Sequence, residues 1–207
     1  IKKRCIVLTM EAVKRSSKIE KIFKLSLITI IGTILITISA KVKIPFYPVP
    51  MTMQTFAVLF MGIAFGYKIG LATVALYLLE GIFGLPVFAN SPEKGVGIVY
   101  FTGPTMGYLI GFLVAVYFAG ILNFNKYLLE VLSKYSNYWI NFIYIFMALI
   151  FSVSFIYILG LFWLGTLIGW DKPIFKLGAE PFLLAELFKI TLLTVLYPWI
   201  VKIRKII

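Results

Sequence analysis

A chain of 207 residues that is 61% hydrophobic and 14% charged, with a mean hydropathy of +1.01, is far more apolar than a water-soluble domain, whose apolar share is roughly 45–50%. Its solvent is lipid. The formal net charge of +12 arises from basic residues clustered beside apolar blocks, a membrane-orienting and lipid-headgroup pattern that argues against a nucleic-acid surface. One cysteine, Cys5, and no histidine exclude an internal disulfide and a thiolate or imidazole metal site, and they remove the commonest general base. Binding or transport is expected, with no enzyme activity and no cofactor.

Residues 1–24 form a basic segment with Lys2, Lys3, Arg4, Lys14, Arg15, Lys18, Lys21 and Lys24; it lacks the apolar core of a signal peptide, and Met10-Glu11 offers an internal start. A first span runs over 25–42, and the prolines of Ile44-Pro45-Phe46-Tyr47-Pro48-Val49-Pro50 then impose a stiff, extended loop. Apolar blocks at 52–67 and 69–84 are separated by a tight turn at Gly66-Tyr67-Lys68. Residues 84–103 hold Pro86, Asn90, Pro92, Glu93, Lys94, Gly95 and Gly97, and a structured loop of that length usually carries function. A fourth span covers 105–122, a polar connector 123–137 and a fifth span 139–169, which exceeds the bilayer and is expected to tilt or break near Gly160 or Gly165. The stretch 170–181 is polar, and a sixth span at 182–201 precedes the basic end Lys202, Arg204, Lys205. Most blocks approach the roughly 20 residues that a membrane-spanning helix needs. The expected fold is all-α: a six-helix integral membrane bundle in the cell membrane, with 25–207 as the substrate-binding domain.

Six spans place both termini on one side, and the distribution of Lys and Arg decides which. The side of the termini carries the eight N-terminal basic residues with Lys68, Lys126, Lys134, Lys202, Arg204 and Lys205; the other carries five, Lys41, Lys43, Lys94, Lys172 and Lys176. Cytoplasmic termini follow, and the loops at 43–51, 84–103 and 170–181 then gather on the outer face as an outward-facing binding site. An ionised side chain at a helix centre costs roughly 2.5–3.5 kcal/mol and persists where it pairs or functions. Glu80 near the outer end of the third span, and Glu186 and Lys189 near that of the sixth, are such residues. The last two are three apart, on one helix face. They read either as a self-neutralising pair that snorkels to the interface or as a carboxylate and an ammonium that recognise a ligand with amide-like donors and a negative charge.

Specific strings sharpen this reading. The run Ile44-Pro45-Phe46-Tyr47-Pro48-Val49-Pro50-Met51-Thr52-Met53-Gln54-Thr55-Phe56, the segments Gly84-Leu85-Pro86-Val87-Phe88-Ala89 and Thr102-Gly103-Pro104-Thr105-Met106-Gly107-Tyr108-Leu109-Ile110-Gly111-Phe112, and finally Pro181-Phe182-Leu183-Leu184-Ala185-Glu186-Leu187-Phe188-Lys189 occur in this order. Together they resemble the signatures of the BioY family, the biotin-binding S component of energy-coupling factor transporters. The chain departs from the family pattern at Ala185-Glu186, where glycine-aspartate is usual, at Met106 in place of glycine, and at Glu80 in place of an apolar residue.

The resemblance implies biotin as the transported ligand, captured at the outer face for transport into the cytoplasm. Its ureido ring offers N–H donors and a carbonyl, its thiophane is apolar and its tail acidic. On this basis Glu186 accepts from the ureido N–H groups, Asn90 and Gln54 supply amide contacts, and Lys189 donates either to the ureido carbonyl or to the tail carboxylate. Tyr47, Phe88, Tyr100 and Tyr108 wall the apolar ring. The family's first span meets a transmembrane coupling protein through small residues four apart. Thr29, Thr33 and Thr37 keep that spacing, which serves equally for packing within the chain. The sequence has no G-x-x-x-x-G-K-[ST] phosphate loop, so active uptake requires partners, by resemblance the coupling protein and two ABC-type ATPases. The alternatives are a self-sufficient facilitator or proton-coupled carrier using Glu80 and Glu186, and an intramembrane enzyme or scaffold, opposed by the lack of His and of clustered carboxylates.

Overall fold

A computed structural model describes residues 2–45, 47–124 and 138–204, with side chains described over 19–45, 47–121 and 139–203. The expectations for Phe46, for 125–137 with Lys126 and Lys134, and for Lys205 lie outside the described residues.

Helix α1, Lys2–Lys41, runs without interruption through residues 2–24 of the basic segment and on through the first span. The prolines that follow leave room for a minimal antiparallel hairpin, β1 (Lys43–Ile44) against β2 (Met51–Thr52), with Lys43 opposite Thr52 and Ile44 opposite Met51. Helix α2, Gln54–Ile82, breaks at Gly66, whose φ of 78° and ψ of 172° are non-helical and favour glycine. The break is a reversal. Gln54 Nε2 donates to Tyr77 Oη at 2.7 Å, whereas a continuous helix at ~1.5 Å per residue would hold the two about 34 Å apart. A Cβ on Gly70 would also lie 3.4 Å from the Cα of Gly62. The arms 54–65 and 67–82 therefore run antiparallel, with the sequence-predicted turn at their tip.

A 3₁₀ helix, Gly97–Thr102, leads into α3, Met106–Phe124, followed by α4, Tyr138–Ile168, a short α5, Ile174–Gly178, and α6, Glu180–Arg204. Helix α4 does not break at Gly160 or Gly165. Those glycines instead make room for aromatic rings, Tyr108 against Gly160 and Trp170 against Gly165. Helix α3 lies across α2 and α4 at backbone-contact distance, because Gly120 meets the backbone of Gly66 and Tyr67 while Gly107 and Gly111 meet that of Leu159 and Ile156. Lipid gives apolar helices no hydrophobic reason to associate, so such close approach through small residues supplies the van der Waals packing.

Segments Ile19–Lys41, Trp139–Ile168 and Glu180–Ile203 are each long and apolar enough to cross a membrane; Gln54–Ile82 is as apolar but is divided at Gly66 into its two arms, and the apolar stretch of α3, Met106–Ile121, is shorter. A core that includes Ile36, Val58, Leu59, Val74, Val116, Leu164 and Leu193 is fully buried, while Ile30, Ile34, Ile38, Phe162, Leu184 and Trp199 are exposed. That surface is suited to hydrocarbon rather than water.

Candidate binding site

The connections 42–53, 83–105 and 169–179 meet at one end of the bundle. Lysines leaving α1 tie two of them together. Lys41 Nζ donates to the carbonyls of Phe88 and Ser91, both at 2.7 Å, and Lys43 Nζ reaches Glu93 at 3.1 Å and Asn90 Oδ1 at 3.3 Å. The third connection joins through Tyr108, whose hydroxyl donates to the Gly178 carbonyl at 2.9 Å.

Beneath these loops the i, i+3 spacing of Glu186 and Lys189 on α6 points both inward, and they are 5% and 3% exposed. Lys189 Nζ donates to Glu186 Oε1 at 2.7 Å, to the Thr52 carbonyl at 2.6 Å and to Thr55 Oγ1 at 3.0 Å; Thr55 Oγ1 in turn donates to Glu186 Oε1 at 2.9 Å. Hydrogen bonds beyond the ion pair itself are what make a desolvated pair tolerable. The other carboxylate oxygen, Glu186 Oε2, is buried, and the Tyr157 hydroxyl of α4 lies beside the carboxylate.

Glu186 lines a cavity roofed by Val49, Pro50 and Met51 of the hairpin. Its other lining residues include Gln54, Thr55 and Tyr100, then Tyr108, Leu109 and Phe112 of α3, and Ile156, Tyr157 and Phe182. A mostly apolar, aromatic-walled hollow with a few placed polar groups is the form of a small-molecule site. Among the described residues there is no group of three or more Cys, Asp or Glu side chains able to hold a metal ion.

Residues 12–206 match the BioY family. The chain belongs to the BioY family. It is 34% identical to the biotin transporter BioY of Thermotoga maritima over 77% of this chain and 85% of that protein. It is 30% identical to the probable biotin transporter BioY of Pyrococcus horikoshii, over 75% and 82% of the two chains. In fold it resembles the S-component for biotin from an ECF-type ABC transporter, a crystal structure at 2.1 Å, with a TM-score of 0.67, 24% identity and coverage of 90% of this chain and 93% of that one. With its apolar helices, this BioY family member is a multi-pass protein of the cell membrane.

Of the residues singled out in the sequence, Glu186, Gln54, Tyr100 and Tyr108 are brought together on the cavity wall. Lys189 stands behind Glu186 and is not among the lining residues. Phe88, 1% exposed, forms a second layer: its ring stacks on Tyr100 at 4.6 Å, meets Tyr77 and Phe101 edge-on, and occupies the space a side chain at Gly81 would need. Asn90 and Tyr47 lie apart from the wall. Asn90 accepts from Lys43, and Tyr47 is 84% exposed with Lys94 Nζ 5.7 Å from its ring centroid. Thr33 is buried within the bundle and Thr29 and Thr37 are half-buried, while Glu80 is half-buried in the last turn of the second arm of α2.

Sequence reasoning passed over Thr55 and Tyr157. The first sits beside Gln54 in an otherwise apolar run, a signal that was available; the second was one aromatic among many in a long apolar helix, and only the packing of α4 beside α6 places it at Glu186. Because Phe88 supports Tyr100 from a tightly filled position, Phe88→Ala is expected to destabilise the fold by about 3–5 kcal/mol, read as a lower thermal midpoint in detergent.

Proposed function

We propose that this chain captures biotin at the outer face of the cell membrane for transport into the cytoplasm. One observation carries the reading: a buried carboxylate, Glu186, held by Lys189 and Thr55, lines an aromatic-walled cavity in a member of the BioY family. A carboxylate oxygen is an acceptor, suited to a ureido N–H, and the surrounding aromatic and aliphatic side chains suit a thiophane ring and its alkyl chain. The relatives named as biotin transporters and the biotin S-component of like fold support that ligand.

The same reading extends to topology. Helix α1, the two arms of α2, and α3, α4 and α6 make six crossings, an even number with both termini on one side. Fourteen basic residues on that side against five on the other favour a cytoplasmic placement and leave the cavity facing outward. The chain works with a transmembrane coupling protein and two ABC-type ATPases, in keeping with the absence of a phosphate-binding loop from its sequence. Thr29 and Thr37, half-buried along α1, are the proposed contacts with the coupling protein; Thr33 packs inward.

Equilibrium binding to the detergent-purified chain tests the proposal, with dethiobiotin, riboflavin and thiamine alongside. Saturable biotin binding, at least about tenfold tighter than that of riboflavin or thiamine, is expected; a tenfold preference corresponds to about 1.4 kcal/mol. A folded sample that binds riboflavin or thiamine better than biotin overturns it.

A further inference from the structure

The turn at residues 88–91 is wrapped around a single ammonium. Lys41, in the last turn of α1, donates from Nζ to the carbonyls of Phe88 and Ser91, both at 2.7 Å, and lies 3.4 Å from Ser91 Oγ. The Phe88 carbonyl also accepts from Ser91 Oγ at 2.8 Å and from the Ser91 N–H at 3.2 Å. An ammonium has three donors and no acceptor, so two carbonyls and a hydroxyl occupy it fully. Lys43 holds the loop differently. It reaches only side chains, Asn90 Oδ1 at 3.3 Å and Glu93, 70% exposed, at 3.1 Å, and exposed pairs of that kind contribute little. The backbone of the turn is therefore fixed to α1 through Lys41.

We infer that Lys41 is a positioning residue for ligand binding, acting through the turn it clamps on the cavity wall at Tyr100. Tyr100 lines the cavity, whereas Lys41 does not. The ring of Tyr100 is held twice from the clamped turn: it stacks on Phe88 with centroids 4.6 Å apart, and its hydroxyl accepts from the Asn90 N–H at 3.3 Å. Phe88 and Ser91, whose carbonyls take the ammonium, are 1% and 4% exposed, so water does not readily replace the lost donors. Without Lys41 the turn loosens, and Tyr100 loses both of its supports together. The inference rests on biotin being the ligand. A positioning residue affects every ligand that touches the wall, while a direct contact is felt by the one ligand group it meets.

A thermodynamic cycle within the protein tests this. Binding of biotin and of biotinamide, which lacks the tail charge, is measured on the detergent-purified chain. The variants are Lys41→Met, Lys41→Arg, Tyr100→Leu, Ile156→Val and the doubles of Lys41→Met with each of the last two. Lys41→Met is expected to weaken both ligands by the same factor, about three- to tenfold, the scale of a lost hydrogen bond to a charged group that is partly exposed. Lys41→Arg, which keeps N–H donors for both carbonyls, is expected to recover most of that loss. In the Tyr100→Leu background the effect of Lys41→Met shrinks to within about twofold, because the residue it acts through is gone; beside Ile156→Val on α4 the two losses multiply, as for independent sites. Lys41→Gln stands in should Lys41→Met not fold, and Tyr100→Phe, which cuts the link to Asn90, should Tyr100→Leu not fold. Losses from Lys41→Met and Tyr100→Leu that multiply overturn the inference, as does wild-type affinity in Lys41→Met. A Lys41→Met loss seen with biotin but absent with biotinamide overturns it too, since Lys41 then meets the ligand carboxylate directly. Wild-type protein that does not bind biotin overturns the functional reading itself, a result distinct from these.

Discussion

Biotin binding will fall by at least about tenfold to a hundredfold in Glu186→Gln, since a hydrogen bond to a charged group contributes about 1.5–3 kcal/mol and 1.4 kcal/mol is a factor of ten. The substitution conserves shape, so the cavity keeps its walls, but it exchanges the ionised acceptor for a neutral amide. Either the amide nitrogen faces the ligand's N–H, donor against donor, or it faces Lys189 and Thr55, where Oε1 now takes two hydrogen bonds. Glu186→Ala is expected to be worse in a second respect. It leaves the Lys189 ammonium, 3% exposed, without its countercharge, and breaking a buried pair from one side typically costs about 3–5 kcal/mol of stability. Titration calorimetry beside a thermal melt separates the two effects: Glu186→Gln lowers affinity with a small shift in midpoint, and Glu186→Ala lowers both. Undiminished biotin affinity in folded Glu186→Gln would remove the carboxylate from the binding role.

A second large effect is expected at the crossing of α3 and α4. A Cβ placed on Gly111 would lie 2.6 Å from the Cα of Ile156 and 3.3 Å from the carbonyl oxygens of Phe155 and Ile156. These are backbone atoms, so no rotamer change relieves the clash and the helices must part. Overpacking of this kind costs about 1–3 kcal/mol, and more where nothing yields. The damage reaches the site directly, because α3 supplies Tyr108, Leu109 and Phe112 to the cavity and α4 supplies Ile156 and Tyr157. Gly111→Val is therefore expected to lower the thermal midpoint and to weaken biotin binding together. Ile110→Val, one position earlier on an exposed part of α3, should change neither appreciably. If Gly111→Val melts and binds like wild type, the helices do not meet at this glycine.

How much of this was legible beforehand depended on how local the deciding physics is. The end of α1 at Lys41, the start of α3 at Met106 and the extent of α4 fall within a residue or so of the apolar blocks, because a bilayer penalises every unpaired backbone group and leaves the helix as the economical answer. The reversal at Gly66 was likewise visible as Gly66-Tyr67-Lys68. The break expected in α4 was not found: a glycine in an apolar helix reads equally as a hinge or as a space for a neighbour, and the rings of Tyr108 and Trp170 decide for the second.

The same division runs through the site. The sequence by itself determined that the chain lives in lipid, that α6 carries a carboxylate and an ammonium on one face, and that the loops rich in Pro, Gly and aromatics fall at one end, since charge cost, helical spacing and chain breaking act over a few residues. Only the tertiary structure decided that Lys189 sits behind Glu186, that Thr55, more than a hundred residues earlier in the chain, links them, and that Phe88 supports the wall while Asn90 and Tyr47 stand off it. Those outcomes depend on which donors and rings meet when α2, α3, α4 and α6 close together, and long-range juxtaposition of that kind leaves no periodic trace in the chain.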